Sequence, residues 1–409
     1  LKEKTKEYIY LSIIPFSMLI YAFILNNPFE IFDGMIRIIM TNNILVSDYF
    51  YIANRGAAFF NAGIICLLNI WLIYKYDLKI NGLLIVSVLL ILSFGFMGKN
   101  IYNILPFYIG SYFYSRFIGK EFKSIVPIAM MSTTLAPIVS SLGFLGIILG
   151  IIIGFLMPIV TKHTLLYHGG YNLYNTGFAG GLFGIIIYSI VLSFGIKFDI
   201  NKNYVNTFYN STFIYFFILY IYMLFIGYIN DKKILENVKS IHTHTGRLVT
   251  DFVHKEGFYA SFFNMGTIGL ICLVFSICFK VFNGPVICGM LTVVAFGGFG
   301  KHTKNIIPIM FGVIFMYFIT NTRVDLTILL MTVFFSTTLA PIAGKFGIML
   351  GILVGMLHFA VATRIGTIHG GMNLYNNGLA AGIISSIYVP IVEEIKGVID
   401  IVRTRKDNN

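Results

Sequence analysis

Charge is what this sequence has least of. Lys, Arg, Asp and Glu make up 11% of its 409 residues, against about 25% in an average soluble domain. Its length would allow two or three water-soluble domains, but so little charge excludes them. Cysteine is equally sparse. Cys66, Cys272, Cys278 and Cys288 lie inside apolar runs without C-x-x-C spacing, which argues against a disulfide framework or a cysteine-ligated metal and leaves small buried hydrophobes. There is no P-loop, no H-E-x-x-H and no G-x-S-x-G, so neither an enzyme nor a cofactor is expected. His242 and His244 in HTHTGR alternate without an adjacent acid and read as an interfacial loop rather than a metal site.

Apolar sequence fills the place of charge. Hydrophobic residues reach 57% and the mean hydropathy is +0.84. Tyr8–Leu25, Phe213–Tyr228 and Phe346–Val361 are near-continuous apolar runs, close to the roughly 17–25 residues that cross a bilayer. Backbone groups in hydrocarbon must pair within their own segment, so these runs are helices. The expected fold class is an all-α integral membrane protein, multi-pass in the lipid bilayer. The first run is too long for a signal peptide and is followed by NNPFE rather than a cleavage site, so it reads as a retained span. A net charge of +12 is assigned to basic cytoplasmic loops and not to nucleic acid. Abundant Ile, Asn, Lys, Tyr and Phe suggests an AT-rich bacterial genome, hence a bacterial inner membrane.

The chain is written twice. HGGYNLYNTGFAGG at 168–181 returns as HGGMNLYNNGLAAG at 369–382, identical at ten of fourteen positions. LVSDYF (45–50) pairs with LVTDFV (248–253), AFFNAG (58–63) with SFFNMG (261–266), and GKNIYNILPFYIG (98–110) with GKHTKNIIPIMFG (300–312). STTLAPI stands unchanged at 132–138 and 336–342, and GIILGIIIG (146–154) pairs with GIMLGILVG (347–355). Such ordered self-similarity is an internal repeat, giving one transmembrane repeat over 1–204 and a second over 205–409. Each holds about seven apolar segments, near 8–25, 56–76, 82–98, 100–118, 124–140, 143–161 and 174–196, then 211–230, 258–279, 284–300, 305–322, 325–342, 346–362 and 373–395. An odd number inverts the second repeat. With both termini cytoplasmic, only eight of the 29 basic residues fall outside (Arg37, Arg55, Lys99, Lys197, Lys202, Lys280, Arg323 and Arg364), as the positive-inside bias requires. Inverted repeats meeting at broken helices near the midplane are a transporter architecture.

Polar residues matched between the repeats are the candidate site. Paired glycines in each HGG block break the helix, and a new one is expected from Thr176 and Asn377. Irregular backbone at membrane depth must be satisfied by protein or a watery cavity, which makes His168, Asn172, Asn175, His369, Asn373 and Asn376 candidates for binding a solute. Ser132, Thr133, Thr134, Ser336, Thr337 and Thr338 stand before Pro137 and Pro341, whose missing donors kink the helix and free carbonyls. Such oxygens suit Na⁺ or a hydrogen-bonding solute, while back-bonding to the preceding turn is the plainer role. Lys99 and Lys301 are expected to reach toward the interface; facing a cavity instead, they would argue for an anion. Asp48 and Asp251, the only matched acids, would either bind a coupling proton or cap the following helix, the second being favoured. Asn61 and Asn264 lie deeper and suit interhelical bonding as well as substrate.

The succession NNILVSDYF, AFFNAG, GKNIYNILPFYIG, STTLAPIVSS and HGGYNLYNTGFAGG, repeated in the second half, resembles the block order of the bacterial and animal urea transporters. It is also similar to bacterial polytopic membrane proteins built of duplicated halves. The resemblance to the urea transporters implies two inverted halves, a pathway along the pseudo-two-fold axis of each protomer, and homo-oligomers, trimers in that family. The expected function is a channel or transporter for a small polar solute, bound between the repeats, with Na⁺ or H⁺ as candidate coupling ions. An ion-coupled elevator carrier of small carboxylates is the alternative, and a non-transporting subunit of a larger complex the second alternative.

Overall fold

The computed structural model describes residues 3–196, 198 and 203–407, with side chains through Ile399. Lys2, Lys197 and Lys202 of the charge count lie outside the described residues, as do the side chains of Arg403, Arg405 and Lys406. The described chain is helical throughout, with only two isolated bridges, Ser47 with Asn203 and Phe208 with Phe282.

In the first repeat the helices are α1 (Glu3–Leu25), α2 (Pro28–Met40), α3 (Tyr49–Ile52), α4 (Arg55–Lys75), α5 (Gly82–Phe94), α6 (Ile101–Phe117), α7 (Val126–Met131), α8 (Ala136–Tyr167) and α9 (Asn175–Ser193). The second repeat continues with α10 (Asn210–Asn230), α11 (Ile234–Ile241), α12 (Phe252–Glu256), α13 (Phe258–Phe279), α14 (Gly284–Ala295), α15 (Thr303–Ile319), α16 (Leu326–Ser336), α17 (Ala340–Phe346), α18 (Ile348–Ile365) and α19 (Asn376–Asp407). Asparagine starts many of them. Asn27, Asn54, Asn81, Asn100 and Asn283 each accept from a first-turn N–H of α2, α4, α5, α6 and α14, groups that have no partner inside the helix. Nine helical stretches among the described residues are long and apolar enough to cross a membrane. The stretches between each repeat's first two spans hold the short helices α2, α3, α11 and α12.

Glycine sets the breaks. Gly143 has φ 53° and splits α8, and in the second repeat Gly347, with φ 96°, parts α17 from α18. Both are left-handed conformations that glycine adopts without strain. Pro137 and Pro341, expected to kink the middle of a helix, instead occupy the first turns of α8 and α17, after 3-10 turns at Ser132–Leu135 and Thr337–Leu339. A proline is tolerated there because first-turn N–H groups lack partners anyway.

α5 and α14 are too short to cross. At 13 and 12 residues they run about 20 Å, against a hydrocarbon layer of about 30 Å. Both are buried almost on every side and pack against each other across the repeat boundary. One continuous apolar core draws on α1, α4 and α5 from one repeat and α10, α13 and α14 from the other. The remaining seam is made by α9 and α19, which touch near their N-termini, where a Cβ on Gly177 would lie 3.2 Å from the Cα of Gly378.

Candidate functional site

The two HGG loops dock on each other's repeats. Gly169, Gly170, Gly370 and Gly371 all have φ between 55° and 85°, so each chain turns back sharply after its histidine. Within each loop the imidazole ties the ends together. His168 Nδ1 accepts the Asn172 N–H at 3.3 Å, and its Nε2 meets Asn175 Oδ1 at 2.9 Å. His369 repeats both bonds with Asn373 and Asn376 at the same distances. Nδ1 accepts, so the proton belongs on Nε2 in both rings. α9 and α19 begin at Asn175 and Asn376, one residue before the expected starts, because those asparagines are held within the loop.

Each loop tip then reaches the STT turn of the other repeat. Thr338 Oγ1 donates to Asn172 Oδ1 at 2.6 Å, and Thr338 O accepts from Leu173 N at 3.0 Å. Reciprocally, Thr134 Oγ1 donates to Asn373 Oδ1 at 2.6 Å, and Thr134 O accepts from Leu374 N at 2.9 Å. The carboxamide nitrogens of Asn172 and Asn373 donate to Gly378 O and Gly177 O. Ser132 and Ser336 bond back to Ile128 O and Val333 O. The matched Asn, His and second Thr of each block are thus engaged by protein at the seam between the repeats.

The lysines go inward. Lys99 and Lys301 are fully buried, not extended to an interface. Gly98 and Gly300, with φ 92° and 98°, turn the chain so that the stems enter the seam. Asn61 Nδ2 holds that turn by donating to Gly95 O and Lys99 O at 2.7 and 2.8 Å, and Asn264 Nδ2 does the same for Gly297 O and Lys301 O at 2.8 Å each. Lys99 Nζ donates to the phenol of Tyr375 at 2.5 Å. Lys301 Nζ donates to the phenol of Tyr174 at 2.6 Å and to Thr337 Oγ1 at 2.8 Å. Each Nζ also stands over two rings, Phe94 and Tyr375 for Lys99, Tyr174 and Phe296 for Lys301, at 4.4–5.1 Å, a placement that favours the charged form of an amine. No ion pair among the described residues includes either lysine. Tyr174 and Tyr375 were not singled out in the sequence, although N-L-Y-N matches at both copies.

Beside the two tyrosines lies a small space walled by Phe94, Phe296, Phe335, Tyr174, Tyr375 and Met131, which neither lysine lines. It leaves about 10 Å³ for the centre of a water-sized sphere, the least that admits one water. Asn377 borders this space and also a vestibule of about 240 Å³ that holds Thr332, Thr363, Arg364 and Thr367. His358 Nε2 meets Asn377 Oδ1 at 2.9 Å. Their first-repeat counterparts are Met157 and Thr176, so internal repetition gave no sign of this pair.

The matched acids cap helices of the opposite repeat. Asp251 accepts from Gly82 N at the start of α5 with both oxygens, at 3.0 Å each, and from His254 N. Asp48 accepts from Phe50 N at 2.9 Å and faces Gly284 at the start of α14. Burial pushes the Asp48 carboxyl up to about 7. His244, read as lacking an acid, meets Glu256 Oε1 at 2.9 Å, an acid twelve residues away that the fold brings alongside.

Spans, short buried helices and cross-docked loops define a duplicated, multi-pass α-helical membrane protein with a polar seam. The chain belongs to the family described as "Protein of unknown function (DUF1576)", whose model matches it twice, over residues 27–193 and 230–394. Those two matches fall on the two repeats. No curated protein and no solved structure matches the chain.

Proposed function

We propose that this protein carries a small anion across the membrane along the seam between two repeats of opposite orientation. The observation that carries the reading is the pair of lysines. Two buried lysine amino groups, one from each repeat, face hydroxyls and aromatic rings with no carboxylate beside them. Ionisable side chains at membrane depth are costly and ordinarily mark a substrate or ion path. The N-terminal ends of α9 and α19 also border the central space, and the positive ends of their dipoles favour an anion there. An anion entering the seam would bring the counter-charge under which these amino groups hold their protons.

A passive pathway for a neutral amide, as the urea-transporter resemblance implies, has less support. The asparagines that would bind an amide are engaged by Thr134, Thr338 and backbone carbonyls, and the central space admits about one water. A carrier that alternates between closed and open arrangements accounts for such occlusion. Reciprocal docking of loop on STT turn is a two-fold relation, and an axis for it in the membrane plane is the arrangement of inverted-repeat transporters.

The test is flux in proteoliposomes with urea, formamide, glycerol, formate, acetate and lactate, each with and without a Na⁺ or proton gradient. Anion movement is expected, and Lys99→Met or Lys301→Met should reduce it at least about tenfold, the cost of one hydrogen bond to a charged group, while the protein still elutes as a folded species. Fast, gradient-independent urea or formamide passage that survives both substitutions would overturn the reading.

A further inference from the structure

The second repeat contains a crevice that the first repeat has filled. It lies between the loop at 242–245, the start of α15 and the corner joining α17 to α18, and encloses about 630 Å³. One end is polar, with His242, Thr303 and Lys304; the other is apolar, with Ile307 and Phe311 on α15 and Ile348 on α18. Lys304, Phe311 and Ile348 are exposed, so the crevice opens sideways over an apolar wall. No carboxylate lines it. Glu256, the acid close to this loop, is engaged by His244 and Ser240. His242 Nε2 meets Thr303 Oγ1 at 3.3 Å, and His302 turns its Nε2 away to His244 O at 2.9 Å.

At the matching place in the first repeat, Asn43 and Asn103 both donate to Ser140 Oγ at 3.0 Å, and Tyr49 donates to Asn43 at 2.6 Å. The second repeat has Gly246 for Asn43, Gly344 for Ser140 and Phe252 for Tyr49, while Lys304 replaces Tyr102. The polar plug is gone and a cation stands at the rim. Both changes favour one kind of occupant, an amphiphile with an anionic head.

We propose that the crevice binds an anionic phospholipid, with its phosphate at Lys304, Thr303 and His242 and an acyl chain along α15 and α18. Phosphate suits the start of α15, a 17-residue helix whose first N–H groups project beyond its end. Basic pockets between membrane helices take anionic headgroups for this reason. From Lys304 to Phe311 the wall descends about 10 Å, the upper part of an acyl chain. Exposed Lys232, Lys233 and Lys239, at and before α11, outnumber Asp231 and Glu236 in the same stretch. The site is independent of what the seam transports.

Native mass spectrometry of the detergent-solubilised chain, titrated with phosphatidylglycerol or phosphatidylcholine, tests it. Phosphatidylglycerol should bind about fivefold more tightly, and Lys304→Gln should bring it close to phosphatidylcholine, since one lysine near such a headgroup is worth about 1 kcal/mol, or about fivefold. Lys120→Gln, an exposed lysine elsewhere, should change nothing. Inorganic phosphate should displace the lipid only weakly. Equal binding of the two lipids, an unchanged Lys304→Gln variant, or equal losses at Lys304 and Lys120 would overturn the proposal. Full displacement by inorganic phosphate would overturn it in favour of a small-anion site.

Discussion

A buried lysine usually stands beside a carboxylate, because removing an unpaired charge from water costs far more than a hydroxyl returns. Lys99 and Lys301 break that habit in the same way in both repeats, which is why they, rather than the better-satisfied asparagines, are assigned the anion. The asparagines have a structural duty that is open to measurement. Asn172→Ala would leave the Thr338 hydroxyl and Gly378 carbonyl without their partner, at about 1–3 kcal/mol for each buried group. The variant should therefore unfold at a distinctly lower temperature in detergent; an unchanged midpoint would remove Asn172 from the seam. Asp48 supplies a pH dependence. Burial raises its carboxyl from 3.8 to about 7, so the folded chain keeps a proton that the unfolded chain releases. Stability from that proton is complete at low pH and is lost as pH rises toward 7. Asp48→Asn retains an oxygen for the Phe50 N–H, so its melting temperature relative to the unsubstituted protein should rise between pH 5 and pH 8. A constant difference would show that the carboxyl titrates normally.

Helices α6 and α8, and their counterparts α15 and α18, pack backbone against backbone. A Cβ on Gly110 would lie 1.9 Å from Ile151 O, and one on Gly312 would lie 2.1 Å from Ile352 O. Small residues at matched places are what allow membrane helices to approach so closely. Gly110→Ala and Gly312→Ala should each destabilise by about 1–3 kcal/mol, because the obstacle is backbone and cannot swing aside; melting near the parent value would mean that the helices can separate without penalty. These elements were legible in the sequence. Long apolar runs and the Gly-Gly breaks placed most helix starts to within a few residues, since each signal is local. The lysine partners were not legible. Tyr375 is 276 residues from Lys99 and Tyr174 is 127 from Lys301, and hydropathy cannot tell a lysine turned into a seam from one reaching toward lipid headgroups. The repeat pattern also concealed His358 and the crevice beside Lys304, because both lie where the copies differ.

Orientation of the repeats decides whether the seam is a transport path. Two parallel repeats would relate through an axis along the membrane normal and place both HGG loops at one depth facing the same side. Inverted repeats bring one loop from each side to the same centre, so that a vestibule on one face can close as another opens. In the present arrangement the vestibule near Arg364 reaches Asn377, which also borders the central space. Lys120 follows α6 and Arg323 follows α15, at corresponding helix ends. In a background with the four cysteines replaced, a single cysteine at position 120 should react with a membrane-impermeant maleimide only from the cytoplasmic side. One at position 323 should react only from the opposite side. Labelling of both from one side would make the repeats parallel, and with that the alternating carrier would fail as a reading of this fold, whatever the lysines bind.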